Sequence, residues 1–134
     1  MKVVVDTNVL VSGLLTPYGP AGSIVRMISA GELSLCYDAR LLAEYRDVLL
    51  RPRFPFHRAE VEDLCDSIDA HGELVAAGPL VTPLPDPDDE PFLEVALAGG
   101  VEFLITGNLR HFPESSTCGM RVVSPGEFVR SAKA

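Results

Sequence analysis

The feature that most constrains this chain is a rhythm of short apolar runs separated by stretches of helical period. "KVVVD" (residues 2–6) sets three valines in a row, the pattern of a strand buried on both faces rather than one. "LSLCYD" (33–38), "VEFLIT" (101–106) and "RVVS" (121–124) repeat the theme, and "ELVAAG" (73–78) is a weaker version of it. Between them lie predicted helices. "SIVRMISAG" is closed by Gly31, and a second helix runs from an Asp38 N-cap until Pro52 stops it. Residues 58–70 are the most amphipathic stretch, with Val61, Leu64, Cys65 and Ile68 on one stripe. "DEPFLEVALAGG" and a terminal "PGEFVRSAKA" complete the set, while "TPYGPAG" (16–22) and "GNLRHFPESSTCG" (107–119) read as loops. Strands alternating with helices predict a three-layer α/β/α sandwich around a central parallel sheet. No repeat or long linker divides residues 1–134 into more than one domain.

The 134 residues are 47% hydrophobic, enough for a packed core without disulfides. Net charge is −8, which argues against a broad cationic surface gripping duplex DNA. An enzyme whose bound cation supplies the positive charge remains open, as does a basic protein partner. Cys36, Cys65 and Cys118 are odd in number, far apart and without metal-ligand spacing, so they are expected to be reduced thiols. No apolar run approaches the ~18 residues of a membrane span, and no leader pattern opens the chain. The expectation is a soluble, cytoplasmic protein.

Carboxylates then demand explanation. Asp6 follows three buried valines at the carboxyl end of the first strand, where open parallel sheets bind ligands. That position suits either a loop cap or a ligand. Glu44 lies at the margin of the stripe formed by Leu41, Leu42, Tyr45, Val48 and Leu49. "PDPDDEPF" (85–92) crowds four acids between prolines. Asp86 is the natural N-cap there, with Pro87 at the first helical position. Asp89 aligns with Phe92, Leu93 and Ala96 and is therefore aimed inward, where an uncompensated carboxylate costs several kcal/mol. No lysine is near in sequence, and the first basic residue after it is Arg110. Asn108 closes another strand at the same edge as Asp6. Oxygen donors without clustered Cys or His select Mg²⁺ or Mn²⁺ over zinc. Such a centre suits phosphodiester hydrolysis.

"VVVDTNVLVSG", "LLAEYRDVL", "DPDDEPFLEVALAGG" and "FLITGNLRHFP" together resemble the PIN-domain ribonucleases, in order and spacing over nearly the whole chain. They are especially similar to the toxin components of bacterial toxin–antitoxin pairs related to the VapC-type toxins. The resemblance implies a compact α/β/α fold, Mg²⁺ or Mn²⁺ held by acids, and cleavage of single-stranded RNA. The family's acids fall on Asp6, Glu44 and Asp89, with Asp86 and Asp88 as rivals for the third place. The family often has an aspartate where this chain has Asn108, which brings an amide but no charge. Asn108 joins the expected catalytic set, and Arg110 is the expected substrate contact. A cognate antitoxin is an expected partner, and homodimerisation is typical of the family. The rival reading is a catalytically weakened PIN-like module that binds RNA or a protein. Among other motifs, "RPRFPFHR" joins three arginines to two phenylalanines, suiting either a single-strand clamp or a stiff connector. His111 suits either a phosphate contact or a loop anchor packed with Phe112.

Overall fold

β1 (Lys2–Val5) is the middle strand of the sheet, and Val3, Val4 and Val5 are fully buried, as two-sided burial requires. The computed structural model describes residues 1–133. β1 pairs in parallel with β2 (Ser34–Tyr37) on one side and β4 (Phe103–Ile105) on the other. β3 (Glu73–Leu74) and β5 (Val122–Val123) form the edges, giving the all-parallel order β3-β2-β1-β4-β5. Six helices cover the sheet: α1 (Thr7–Leu15), α2 (Pro20–Ser29), α3 (Ala39–Leu49), α4 (Arg58–His71), α5 (Glu90–Gly99) and α6 (Pro125–Lys133). The fold is a three-layer α/β/α sandwich. No helix among the described residues is long and apolar enough to cross a membrane.

Most elements fall where the hydrophobic pattern puts them. α4 buries Val61, Leu64, Cys65 and Ile68, and the Asp38 carboxylate caps α3 by accepting from the Arg40 and Leu41 amides at 3.0 and 3.1 Å. Four differences are instructive. α1 follows β1 without a loop, although "TNVLVSGLL" shows no clear amphipathic period; it packs closely on α2. Gly13 permits this approach, since a Cβ there would stand 2.5 Å from Val25 Cγ2 and 2.6 Å from the Ala21 carbonyl. α2 begins at Pro20, inside the stretch expected as loop, because proline suits the first helical turn. The helix expected from Asp89 opens instead as a 3₁₀ turn, Pro87–Asp89, before α5. The long loop after β4 contains two further 3₁₀ turns, Leu109–His111 and Glu114–Ser116. Of the expected terminal helix, Ala134 lies outside the described residues.

Candidate active site

The carboxyl end of β1 delivers Asp6, 6% exposed, directly into the start of α1. It occupies the N-cap position with extended backbone, yet its side chain makes no capping bond. Instead Oδ2 accepts a hydrogen bond from Thr106 Oγ1 at 2.8 Å, across the β1–β4 pair. Thr106 is fully buried, and its Oγ1 accepts in turn from the backbone N–H of Asn108 at 3.0 Å. The open alternative for Asp6 is thereby narrowed: its carboxylate is positioned, but not as a cap. Burial pushes its pKa up from 3.8 to about 6. The Thr106 bond opposes that rise, and the charges of Asp89 and Glu44 add to it.

Glu44 reaches the same edge on α3. Tyr45, wholly buried beside it, donates to the Val5 carbonyl at 2.5 Å and so fastens α3 to the last residue of β1. Glu44 is half-buried, and its Oε2 accepts a hydrogen bond from Thr7 Oγ1 at the first turn of α1. A glutamate at a stripe margin is thus held over the sheet edge rather than released to solvent.

The acidic octapeptide divides its labour. Asp86 accepts from the Asp88 amide at 2.9 Å and caps the 3₁₀ turn, while Glu90 accepts from the Leu84 amide at 3.0 Å. Asp88 is exposed. Asp89 turns inward, its side chain 13% exposed, and its Oδ2 is buried without a hydrogen-bond partner. His111 Nδ1 lies 2.9 Å from that oxygen, within ion-pair distance. Burial raises the Asp89 pKa; the His111 charge opposes this, and Asp86 and Asp88 reinforce it. No lysine or arginine pairs with Asp6, Glu44 or Asp89 among the described residues. Arg40 is already committed to Asp38 and Glu94, both at 2.8 Å.

Asn108 and Arg110 sit beyond β4 on the same edge, but both are exposed. They line a shallow recess of about 520 Å³ with Gly107, Leu109 and His111. Three positioning contacts were not visible in the sequence. Tyr45 looked like ordinary core, Thr106 like the end of a strand, and the approach of His111 to Asp89 spans a loop whose path no local pattern gives. Only the polar "TGN" closing an apolar strand hinted at Thr106.

Do these residues fit a divalent cation? Their chemistry does, since Asp6, Glu44 and Asp89 are hard oxygen donors and no lysine or arginine among the described residues neutralises them. Among the described residues, however, no group of three or more His, Cys, Asp or Glu stands close enough to hold an ion as placed. The fit is one of charge and donor type, and binding has to draw the carboxylates together. Compared with family models, residues 2–110 match one described as the PIN domain, a span that contains Asp6, Glu44, Asp89, Asn108 and Arg110. No curated protein matches the chain.

Proposed function

The chain belongs to the PIN-domain family, whose members are typically nucleases and generally use divalent metals, and from that premise we propose that it is a Mg²⁺- or Mn²⁺-dependent endoribonuclease acting on single-stranded RNA. We further propose that it is the toxin of a toxin–antitoxin pair. The observation that carries the catalytic reading is the inward-facing Asp89, with no lysine or arginine beside it and only His111 against its Oδ2 among the described residues, in the field of a second buried carboxylate, Asp6.

Asp6, Glu44 and Asp89 would hold the cation, which as a Lewis acid offsets charge on the phosphodiester and makes water easier to deprotonate. The chain's own contribution is orientation. Thr106 fixes Asp6, Thr7 fixes Glu44, and Tyr45 ties the Glu44 helix to β1. Asn108 would offer an uncharged oxygen at the rim, and exposed Arg110, without an ion pair among the described residues, would meet a backbone phosphate. An antitoxin would silence the site by covering this edge, with an inserted arginine supplying the charge the carboxylates lack.

The test is calorimetric titration of Mg²⁺ and Mn²⁺ into metal-free protein, wild type beside Asp6→Asn, followed by incubation with a pool of single-stranded RNA. Binding and cleavage that both disappear in the variant are the expected result. Metal binding without cleavage would favour the weakened binding module, with Asn108 in place of an aspartate as its cause. No metal binding at all would overturn the nuclease reading.

A further inference from the structure

The connector between α3 and α4 makes up a cationic, aromatic surface in an acidic protein. Residues 51–58 carry Arg51, Arg53 and Arg58, and no acid occurs between Arg51 and Ala59. Pro52 and Pro55 stiffen the segment, and the Phe54 amide closes a turn onto the Arg51 carbonyl at 3.0 Å. Phe54 and Phe56 stack with ring centroids 5.3 Å apart and planes 14° from parallel. The Arg53 guanidinium carbon lies over the Phe54 ring, 4.8 Å from its centroid.

Two features separate this cluster from a connector docked for packing. Phe56 lies against the core but Phe54 does not, so half-buried Phe54 is joined to the molecule's packing through Phe56 and carries Arg53 over its ring. Arg53 is exposed and has no carboxylate partner among the described residues, whereas Arg51 meets Asp47 at 3.2 Å and Arg58 meets Glu62 at 4.0 Å. A guanidinium over a ring and without a carboxylate partner is the pairing that binds unstacked bases and their phosphates.

The location also fits. Phe54 follows Glu44 by ten residues, half of them on α3, which places it no more than about 25 Å away. A shallow cleft of about 460 Å³, lined by Ala43, Arg46, Asp47, Leu50, Arg51 and Pro52, lies against α3 and the start of the connector.

We propose that Arg53, Phe54 and Phe56 form a stacking platform that holds bases of single-stranded RNA at a distance from the carboxylate edge. This inference rests on the ribonuclease reading for its substrate class, and it adds a binding site remote from the acids. Duplex RNA, whose bases are already stacked, is excluded from such a platform.

The test uses the full chain carrying Asp6→Asn, in chelator, with a fluorescent oligouridine read by anisotropy. Phe54→Leu keeps the apolar bulk and removes the aromatic face; it should weaken binding roughly tenfold without changing the salt dependence. Arg53→Gln should weaken binding and also reduce the slope of log affinity against log salt by about 0.7, the share of one phosphate contact on a single strand. Thermal melts establish that each variant is folded, and exposed Arg53 carries the test should Phe54→Leu unfold. Equal affinity in all three proteins, or equal affinity for duplex and single strand, would overturn the platform. Because no cleavage is needed, the two readings separate. Platform-dependent binding beside a wild-type chain that never cleaves RNA with Mg²⁺ or Mn²⁺ sinks the nuclease alone, and cleavage by the wild-type chain beside unaltered binding in the variants sinks the platform alone.

Discussion

The two ends of the sheet treat carboxylates in opposite ways. At the amino end, Glu73 on β3 meets Lys2 Nζ at 3.2 Å, and the same ammonium donates to the Gly99 carbonyl at 2.9 Å. Lys2 holds the Glu73 carboxyl below its ordinary value. At the carboxyl end, Asp6 and Asp89 are both raised, and burial is the first cause in each case. This chain can therefore place a cation beside an acid when the acid is structural. That it leaves Asp6 and Asp89 without a lysine or arginine, with only His111 beside Asp89 among the described residues, is what the proposed catalytic role requires. Stability is sacrificed where the chemistry is expected.

Removing a charge from the carboxyl end should break the contrast most strongly. Asp6→Asn should lower RNA cleavage on the order of 10³-fold, because a positioned charge at the reacting centre is lost. It should also make the metal-free protein more stable at pH 7. Asp6 binds its proton more tightly folded than unfolded, so its penalty is absent below pH 3.8, grows with rising pH, and is complete above about 6. The span of roughly two units corresponds to about 3 kcal/mol, an upper bound on the gain. Metal-free denaturation followed across that window should show wild-type stability falling relative to the variant. Parallel curves would mean that Asp6 carries no such burden, and Mg²⁺ should restore the wild type without affecting Asp6→Asn.

Thr106→Val is next in size. The substitution keeps the volume of a fully buried residue but deletes the donor to Asp6 Oδ2. Loss of that partner should cost about 1–3 kcal/mol by thermal or denaturant unfolding. It also removes the contact that opposes the rise in the Asp6 pKa. The rising limb of cleavage against pH should move to higher pH, whereas a purely structural role for Thr106 would lower Tm and leave the profile in place.

Asn108→Asp sharpens the comparison by adding a charge to the uncompensated end. Because Asn108 is exposed, its stability cost should be small. Mg²⁺ affinity and cleavage should both rise several-fold, and unchanged calorimetry would show that this position does not share the ion.

Which parts of this were legible beforehand follows from range. β1 could be read because burial on both faces removes polar residues from "VVV", and α4 because its solvated faces are full of acids. α1 could not, since Thr7, Val9, Leu10 and Gly13 are buried through a close approach to α2 that no local period encodes. Asp89 pointed inward on a helical wheel and does point inward, although a 3₁₀ turn rather than α-helix presents it. Its nearness to His111 depended on how residues 107–119 fold back, a matter of tertiary path. Likewise, "RPRFPFHR" announced arginines and aromatics, but only the structure shows Arg53 lying over Phe54.

The smallest effect belongs to the compensated end. Lys2→Met retains the apolar stem while deleting the charge that faces Glu73 and the Gly99 carbonyl. Both partners are about half exposed, so solvent screens the pair and the Tm shift should be smaller than that of Thr106→Val. Its pH dependence should run opposite to that of Asp6. A carboxyl with a lowered folded pKa stabilises above its unfolded value and loses that contribution as pH falls through the folded one. Acid should therefore narrow both gaps, but wild type is the more stable protein beside Lys2→Met and the less stable one beside Asp6→Asn. Cleavage should be unchanged, since Lys2 and Asp6 lie at opposite ends of the sheet. A Lys2→Met variant that lost activity while remaining folded would show that the two ends are coupled, and the contrast would no longer divide structure from chemistry.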